Sequence, residues 1–239
     1  MTGQLKAVVL AAGKGVRLRP VTEGIPKVMV KVAGRPLLER ILENLLKAGV
    51  KETHLVVGYR KEVVEEHFGS EFNGMKLNYF VQERQLGTAH AVSLVEGYTE
   101  ERFLMLNGDV LVDAELLKKL ALMDEFDPFD VMIVARRVQD PWRYGVLKVQ
   151  GNKVVDIVEK PAPGKEPSNL INAGIYRFTD KIFESIKKTK LSERNEFEIV
   201  DSIKIAMKSG ANVGFLLHEG LCIDVGDEDD LRKANEMKL

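Results

Sequence analysis

Short apolar runs alternate with amphipathic segments along the first half of the chain. Residues 7–10, 54–59, 77–82 and 103–106 are mostly apolar stretches with the length and composition of buried strands. Between them, leucine and isoleucine recur at helical spacing after Pro36, and further helices are predicted at 61–68 and from Gly87 onward. This βαβα order predicts an α/β protein with a doubly wound, mostly parallel sheet, whose ligands bind beyond the carboxyl ends of its strands.

The second half of the chain has a different pattern. Strands are predicted at 130–137, 144–149, 154–159, 170–178, 213–217 and 221–225, and helices at 180–187, 196–208 and 227–237. The turn Gly151-Asn152 joins two of these strands, which predicts an antiparallel extension of the sheet, and Asp113 is predicted to cap a helix that follows it. The sequence has no internal repeat and no linker, and we predict a single domain over residues 1–239.

Composition excludes several classes of partner. Apolar residues make up 45% and charged residues 30% of the 239 positions, and the net charge is −1, so the chain has no basic excess for holding nucleic acid. A single cysteine, Cys222, rules out an intramolecular disulfide and predicts a reducing, cytoplasmic location. No signal peptide and no membrane-spanning segment are expected.

A glycine-rich turn follows the first predicted strand. Gly13 and Gly15 allow a tight bend whose N–H groups form a concave anion site. Positive charge at the same rim comes from Arg17, Arg19 and Lys27. These features suit a polyphosphate, although glycine-rich turns and basic loops are also common without a ligand. Leu18 occupies the position of the third glycine of a dinucleotide fingerprint, and no Gly-Lys-Ser/Thr follows, so neither of those two motifs is present.

Two aspartates come directly after or within apolar strands. Asp109 follows residues 103–106, and Asp224 lies within the apolar stretch 221–225. Two carboxylates together with phosphate oxygens and waters are a usual way to hold Mg²⁺. The alternatives are a helix cap or turn for Asp109 and a buried salt bridge for Asp224. The acidic run 227–230 is interpreted as a solvated helix start.

The order of the polar motifs resembles that of the sugar-1-phosphate nucleotidylyltransferases, and most closely the uridylyltransferase and thymidylyltransferase type. The motifs that carry this resemblance are residues 10–20 with Pro26-Lys27, residues 82–90, Asn107-Gly108-Asp109, Tyr144-Gly145, residues 158–161, Asn172-Ala173-Gly174 and Asp224-Val225-Gly226. Departures from the family pattern occur at Val16, Val28, Cys222-Ile223 and Glu228. None of these departures removes a charged residue of the expected site. They affect the expected sugar pocket and the local shape of the loops.

The resemblance implies a fold, a reaction and a cofactor. The implied fold is the nucleotide-diphospho-sugar transferase fold, with residues 1–125 mainly binding nucleotide and residues 126–239 mainly binding sugar phosphate. The implied reaction is attack of a sugar 1-phosphate on the α-phosphorus of a nucleoside triphosphate, with release of pyrophosphate. Arg17 and Lys27 are the expected catalytic cations, and Asp109 and Asp224 are the expected ligands of Mg²⁺.

The resemblance also assigns binding residues. The expected nucleotide-binding residues are Leu10, Ala11, Ala12, Gly13, Gln82, Gly87, Thr88, Asn107, Gly108 and Asp109. The expected sugar-phosphate residues are Gly145, Glu159, Lys160 and Asn172. The Gln82 amide offers a donor and an acceptor to a pyrimidine edge. Gln85 is either a second contact to the base or a surface residue. Glu159 and Lys160 either bind the sugar phosphate or form only an ion pair on an edge strand. His90 is expected to be a helix residue and not a general base.

The choice of substrate follows less directly. UTP or dTTP is favoured as the nucleotide, with glucose 1-phosphate or N-acetylglucosamine 1-phosphate as the sugar. Guanylyl or cytidylyl transfer by the same fold is one alternative, and a non-catalytic regulatory subunit that binds nucleotide sugars is another. The sequence has no hexapeptide repeats, so acetyl transfer is not expected. Oligomeric state is left open, and a homo-oligomer is compatible with the sequence.

Overall fold

A mixed ten-stranded β-sheet runs through the protein in the computed structural model, which describes residues 5–123 and 127–237. The strands are β1 Lys6–Ala11, β2 Lys31–Val32, β3 Arg35–Pro36, β4 Glu52–Val57, β5 Glu71–Phe72, β6 Met75–Val81, β7 Arg102–Asn107, β8 Val110–Val112, β9 Val131–Arg137, β10 Gly145–Gln150, β11 Lys153–Glu159, β12 Leu170–Thr179, β13 Val213–Leu217 and β14 Cys222–Asp224. The helices are α1 Leu37–Lys47, α2 Lys61–Phe68, α3 Thr88–Ser93, α4 Ala114–Ala121, α5 Ile182–Ile186, α6 Ile199–Lys208 and α7 Glu228–Glu236. Short 3₁₀ turns lie at Val16–Leu18, Lys27–Met29 and Pro141–Arg143.

The central strand β1 determines where the ligand edge of the sheet lies. It pairs in parallel with β4 on one side and β7 on the other, and β6 continues the parallel set beyond β4. Val8 and Val9 are fully buried and belong to cores on opposite faces of the sheet. Because β1, β4 and β7 are parallel, the segments that follow them emerge at one edge, where an α/β sheet binds its ligands.

Antiparallel strands extend the sheet in the second half of the chain, as the sequence predicts. The order is β10-β11-β13-β9-β12-β7-β1-β4-β6-β5, and β12 is antiparallel to both β7 and β9. The register of β12 against β9 shifts between Asn172 and Tyr176, and Gly174 within this bulge has a φ of 73°. Bulges re-aim side chains next to functional sites, and this one lies beside the second cavity described below.

Helices cover both faces of the sheet. The apolar sides of α1 and α4 pack on one face, and α3, α5 and α6 pack on the other. The predicted cap of α4 is confirmed, because the Asp113 carboxylate accepts a hydrogen bond of 2.8 Å from the Leu116 N–H. In the part of the chain that the structure describes, no helix is both long and apolar enough to cross a membrane.

Several local predictions differ from the structure. The predicted helix at 196–208 begins only at Ile199, because the residues before it are extended and pair with the start of α3. The helix predicted after Pro36 begins at Leu37, and Pro36 is both the last residue of β3 and the N-cap of α1. The antiparallel pairing of the three-residue strands β8 and β14 was not predicted. The boundary between residues 125 and 126 that separates the two predicted halves lies outside the described residues, and the domain division stays a prediction.

Candidate active site

Two adjoining cavities open at the carboxyl edge of the parallel strands. The first has a volume of about 290 Å³ and the second about 190 Å³. Thr88 and Asn107 line both cavities, so only these side chains and their neighbours separate the two spaces. Asp109 faces the first cavity and Asp224 the second. The arrangement can hold two ligands side by side with the aspartates at the junction.

Most residues expected to bind nucleotide line the first cavity. Its lining consists of Leu10, Ala12, Gly13, Lys27, Val28, Gln82, Gln85, Gly87, Thr88, Ala91, Asn107, Gly108, Asp109 and Glu196. Ala11 is the exception among the predicted residues, since its side chain is buried in the core behind the cavity. Because these residues line the cavity, they lie within reach of a ligand. The role of each residue stays a prediction.

The glycine-rich turn is held in shape by its own hydrogen bonds. The Lys27 N–H donates to the Gly13 carbonyl at 3.3 Å, and the Thr22 hydroxyl donates to the Gly15 carbonyl at 2.8 Å. Gly15 has a φ of 63°, and a Cβ there would lie 2.9 Å from Thr22 Cγ2. A Cβ on Gly13 would meet nothing within 4 Å. The turn is therefore rigid on its protein side and open on the side of the cavity.

Lys27 and Asp109 form an ion pair at the floor of the first cavity. The distance from Lys27 Nζ to Asp109 Oδ2 is 2.6 Å, and Lys27 is only 8% exposed. The short 3₁₀ turn Lys27–Met29 is anchored by the buried side chains Val28 and Met29, which fixes the lysine stem. A cation held in a partly desolvated position interacts strongly with a bound anion.

The antiparallel pairing of β8 with β14 brings the two predicted metal ligands together. Val110 pairs with Asp224, and the Val225 N–H donates to the Asp109 carbonyl at 2.9 Å. Burial among protein atoms and the negative charge of Asp109 raise the pKa of Asp224 to about 6, while Lys27 and Arg17 act in the opposite direction. Solvent reaches Asp224 from the cavity side. Of the alternatives, Asp109 does not cap a helix, because Asp113 caps α4, but it does lie in the turn between β7 and β8. No ion pair involves Asp224 among the described residues.

These residues fit a divalent cation that shares its coordination with substrates. The negative charge of Asp109 raises the pKa of Asp224, and a positive ion between the two carboxylates would relieve this repulsion. Among the described residues, no group of three or more His, Cys, Asp or Glu side chains is arranged to hold a metal. The other ligands would therefore be phosphate oxygens and water, which matches the preference of Mg²⁺ for partial protein coordination.

Arg17 lies at the rim and lines neither cavity. It belongs to the exposed 3₁₀ turn Val16–Leu18, and its guanidinium comes within 3.5 Å of the position that a Cβ on Gly226 would occupy. Gly226 is two residues beyond Asp224, and the positive charge of Arg17 acts on the Asp224 carboxylate. The position is compatible with a contact to a phosphate that extends out of the cavity.

The Gln82 amide is engaged within the protein. Gln82 is 5% exposed, and its Nε2 donates to the Gly87 carbonyl at 3.0 Å and to His90 Nδ1 at 2.9 Å. Both amide hydrogens are thus used, and contact with a base through this nitrogen requires an exchange of partners. His90 lies in α3 as predicted and orients Gln82, a role that the sequence did not suggest. Gln85 lines the cavity and donates to the Ala12 carbonyl.

Three of the four residues expected to bind sugar phosphate line the second cavity. Gly145, Glu159 and Asn172 face it, and a Cβ on Gly145 would lie 2.8 Å from Glu159 Oε2, so glycine is needed for the carboxylate to approach. Burial raises the pKa of Glu159, and the charge of Arg194 opposes the rise. Lys160 lines neither cavity. It has a φ of 43°, and its N–H donates to the Tyr144 carbonyl at 3.0 Å.

Several residues of the second cavity were not found by sequence reasoning. They are Val110, Arg136, Ile171, Tyr176, Glu198, Ile199, Val200 and Cys222, whereas Thr88, which was expected to bind nucleotide, lines both cavities. The extended segment before α6 reaches the site because the Ala89 N–H donates to the Phe197 carbonyl at 2.8 Å and the Ile199 N–H donates to Thr88 Oγ1 at 2.9 Å. The pair Arg136-Arg137 at the end of an apolar strand was a usable signal for polar residues at the ligand edge.

Comparison with known proteins identifies the family. The sequence profile of the Nucleotidyl transferase family matches residues 6–239. The chain belongs to this family. It is 37% identical over 236 residues to the bifunctional protein GlmU of Methanococcus maripaludis strain C7, which covers 98% of this chain and 54% of the relative. It is 35% identical over 235 residues to the UTP–glucose-1-phosphate uridylyltransferase AglF of Haloferax volcanii, which covers 97% of this chain and 96% of the relative.

Solved structures support the same family and fold. A putative glucose-1-phosphate thymidylyltransferase from Bacillus anthracis superposes with a TM-score of 0.87 at 27% identity, covering 98% of this chain and 97% of that one. A UDP-glucose pyrophosphorylase in complex with UDP-glucose superposes with a TM-score of 0.86 at 25% identity and 97% coverage of both chains. The chain spans about half the length of the GlmU relatives that it matches and nearly all of AglF. The predicted family resemblance is confirmed.

Proposed function

We propose that the protein transfers a nucleotidyl group from a nucleoside triphosphate to a sugar 1-phosphate. UTP or dTTP is the favoured donor, glucose 1-phosphate or N-acetylglucosamine 1-phosphate the first acceptor to test, and Mg²⁺ the cofactor. The observation that carries the proposal is the meeting of two cavities at Asp109 and Asp224, beside the ion-paired Lys27. A site for a single substrate would not need a second cavity on the other side of the acids.

The reaction follows from this arrangement. An ionised oxygen of the sugar 1-phosphate attacks the α-phosphorus, the bond from that phosphorus to the bridging oxygen of the β-phosphate breaks, and pyrophosphate leaves with the bonding electrons. No general base is required, because the attacking oxygen is already deprotonated. Two anions must approach each other, so neutralisation of charge and in-line positioning are the main tasks of the protein.

The cations of the site divide these tasks. Lys27 is directed at the α-phosphate and the incoming sugar phosphate, and Arg17 at the outer phosphates and the departing pyrophosphate. Asp109 and Asp224 are the residues that would hold Mg²⁺. When bound, the ion supplies positive charge to the phosphate oxygens that gain negative charge during transfer.

The cavity walls orient the two substrates. Leu10 and Gly13 form an apolar and open surface for a base, which Gln82 and the Gly87-Thr88 turn border. In the second cavity, the Glu159 carboxylate and the Asn172 amide are available to sugar hydroxyls, and Asn172 is held by a 2.6 Å hydrogen bond from its Nδ2 to the Tyr176 hydroxyl oxygen. AglF, which acts on UTP and glucose 1-phosphate by its name, supports the same pair of substrates for this chain.

The test is a matrix of substrates. UTP, dTTP, GTP, CTP and ATP are each combined with glucose 1-phosphate and N-acetylglucosamine 1-phosphate, with and without Mg²⁺, and pyrophosphate release is measured. We expect release only when both substrates and Mg²⁺ are present, with UTP or dTTP fastest. The highest rate with GTP or CTP would replace the pyrimidine assignment with a guanylyl- or cytidylyltransferase. Tight nucleotide-sugar binding without pyrophosphate release in any combination would indicate a regulatory subunit and refute the enzymatic proposal.

A further inference from the structure

Arg136 is a basic residue in the wall of the second cavity. It is half-buried near the end of β9 and is the only cationic side chain among the described residues that line this cavity. Three carboxylates line the same space: Glu159, Glu198 and Asp224. Within the described residues, none of them, and no other side chain, forms an ion pair or hydrogen bond with Arg136. Glu198 instead pairs with Arg194.

The position of Arg136 relative to the metal end follows from the strands. Side chains alternate along β9, so Arg136 lies on the same face of the sheet as Val134. Val134 belongs to a hydrophobic core that also contains Cys222. Cys222 lines the cavity, and the charge of Arg136 acts on its thiol. Cys222 precedes Asp224 by two residues, which corresponds to about 7 Å along an extended strand. Arg136 is therefore displaced from the phosphate end toward the part of the cavity that holds the sugar ring.

An unpaired guanidinium in such a wall needs an anion from outside. A half-buried charge is costly without a partner, and arginine has five N–H donors in a planar fork and no acceptor. Neutral sugar hydroxyls are already provided for by the acceptor groups of Glu159 and Asn172. The fork of arginine matches the geometry of a carboxylate, which it can bind through two parallel hydrogen bonds.

We infer that the second cavity accepts a sugar 1-phosphate that carries a carboxylate on its ring, and that Arg136 binds this carboxylate. The inference rests on the proposed function and narrows its acceptor to a uronic acid 1-phosphate. Lys27 and the divalent ion that Asp109 and Asp224 would hold neutralise the 1-phosphate, and Arg136 neutralises the second charge at the other end of the sugar. The product is a nucleotide sugar with a free carboxylate.

Two probes that differ only at C6 test the inference. Glucuronic acid 1-phosphate has a carboxylate there, and glucose 1-phosphate has a neutral hydroxymethyl group. We expect the wild-type kcat/KM, with Mg²⁺ and the best nucleotide of the matrix, to favour glucuronic acid 1-phosphate by about tenfold or more, the value of one charge-assisted contact. Arg136→Gln should lower this preference ratio by about the same factor. Arg136→Lys should retain an intermediate ratio, because the charge stays and the fork is lost.

Arg137→Gln is the matched control. Arg137 is the next residue of β9, is exposed, faces away from the cavity and donates to Asn169 Oδ1 at 2.9 Å. We expect its preference ratio to equal that of the wild type.

Two outcomes would overturn the inference: a wild-type preference for glucose 1-phosphate, or an unchanged preference ratio in Arg136→Gln. If the ratio is unchanged because both probes lose activity equally, Arg136 would be assigned to the shared 1-phosphate. Turnover with either probe keeps the proposed function intact in each of these cases. If neither probe releases pyrophosphate, calorimetric titration of the same probes decides the inference separately, and the proposed function fails only if N-acetylglucosamine 1-phosphate is not turned over either. Weaker binding of only the uronic acid phosphate to Arg136→Gln would still support it, and equal binding of both probes would overturn it.

Discussion

The substitutions Asp109→Asn and Asp224→Asn should both abolish turnover but should shift stability in opposite directions. Each removes one of the two carboxylates that we assign to Mg²⁺, so each should lose the metal-dependent rate. In the metal-free protein, however, the two acids have different partners. Asp109 neutralises Lys27 at 2.6 Å, whereas Asp224 has no ion-pair partner among the described residues and is repelled by Asp109.

The cost of Asp109→Asn follows from the lysine that it leaves behind. The side chain of Lys27 is 10% exposed and that of Asp109 is 29% exposed. Leaving one member of a fully buried pair alone costs about 3–5 kcal/mol. Partial exposure of Asp109 and relief of its repulsion of Asp224 both reduce this figure, so we expect a loss of about 2 kcal/mol.

The effect of Asp224→Asn has the opposite sign. A carboxylate whose pKa rises from 3.8 to about 6 on folding costs no stability below pH 3.8, and it costs progressively more until pH exceeds 6. The full shift corresponds to about 3 kcal/mol, and solvent access from the cavity reduces it to about 1 kcal/mol. For a chain of this size, the amide should therefore raise the Tm at pH 8 by about 2–4 °C and should change it little at pH 4.

Thermal unfolding in the presence of a chelator measures both effects. Wild type, Asp109→Asn and Asp224→Asn are compared at pH 4 and pH 8, and pyrophosphate release is measured separately with Mg²⁺. The reasoning is refuted if Asp224→Asn lowers the Tm at pH 8, or if either amide variant retains wild-type activity.

Other substitutions test the remaining parts of the site. Lys27→Met should lower kcat/KM for pyrophosphate release by about 100-fold or more because it removes a preorganised cation, whereas the exposed control Lys31→Met should be neutral; comparable values for both would contradict the role. Gln82→Ala should raise the KM for the nucleotide more than it lowers kcat, and the reverse pattern would remove Gln82 from the base site. Gly13→Ala should leave the Tm unchanged yet raise the nucleotide KM, because its methyl group would enter open cavity space. Gly108→Ala should instead lower the Tm, since its Cβ would lie 2.4 Å from the Leu10 carbonyl oxygen; equal melting of these two alanine variants would argue against this packing.

The ligand edge of the sheet could be predicted because it depends on periodicity. Apolar runs of strand length predicted β1 and β7 at nearly their observed bounds, and the parallel order placed Gly13 and Asp109 after strands that end at one edge. That prediction needs only the direction of the strands. It does not need side-chain detail.

Other parts of the site depend on contacts that spacing does not encode. β8 and β14 are three residues each, too short for alternation to show, yet their pairing brings Asp224 to Asp109. Lys160 was expected at the sugar-phosphate site but lines neither cavity. Its backbone has a φ of 43°, and this conformation cannot be predicted from the sequence. Likewise, the hydrogen bond between Gln82 and His90 depends on how α3 packs against the end of β6, and sequence motifs do not encode this packing.

The most direct test of the account is the location of the metal. Crystals of the protein with Mn²⁺ in place of Mg²⁺, the preferred nucleoside triphosphate and a sugar 1-phosphate that cannot react would show the ion by anomalous diffraction. The account predicts an ion bound at about 2.1–2.2 Å by carboxylate oxygens of both Asp109 and Asp224 and by phosphate oxygens of both ligands. An ion bound away from both aspartates in that complex would contradict it.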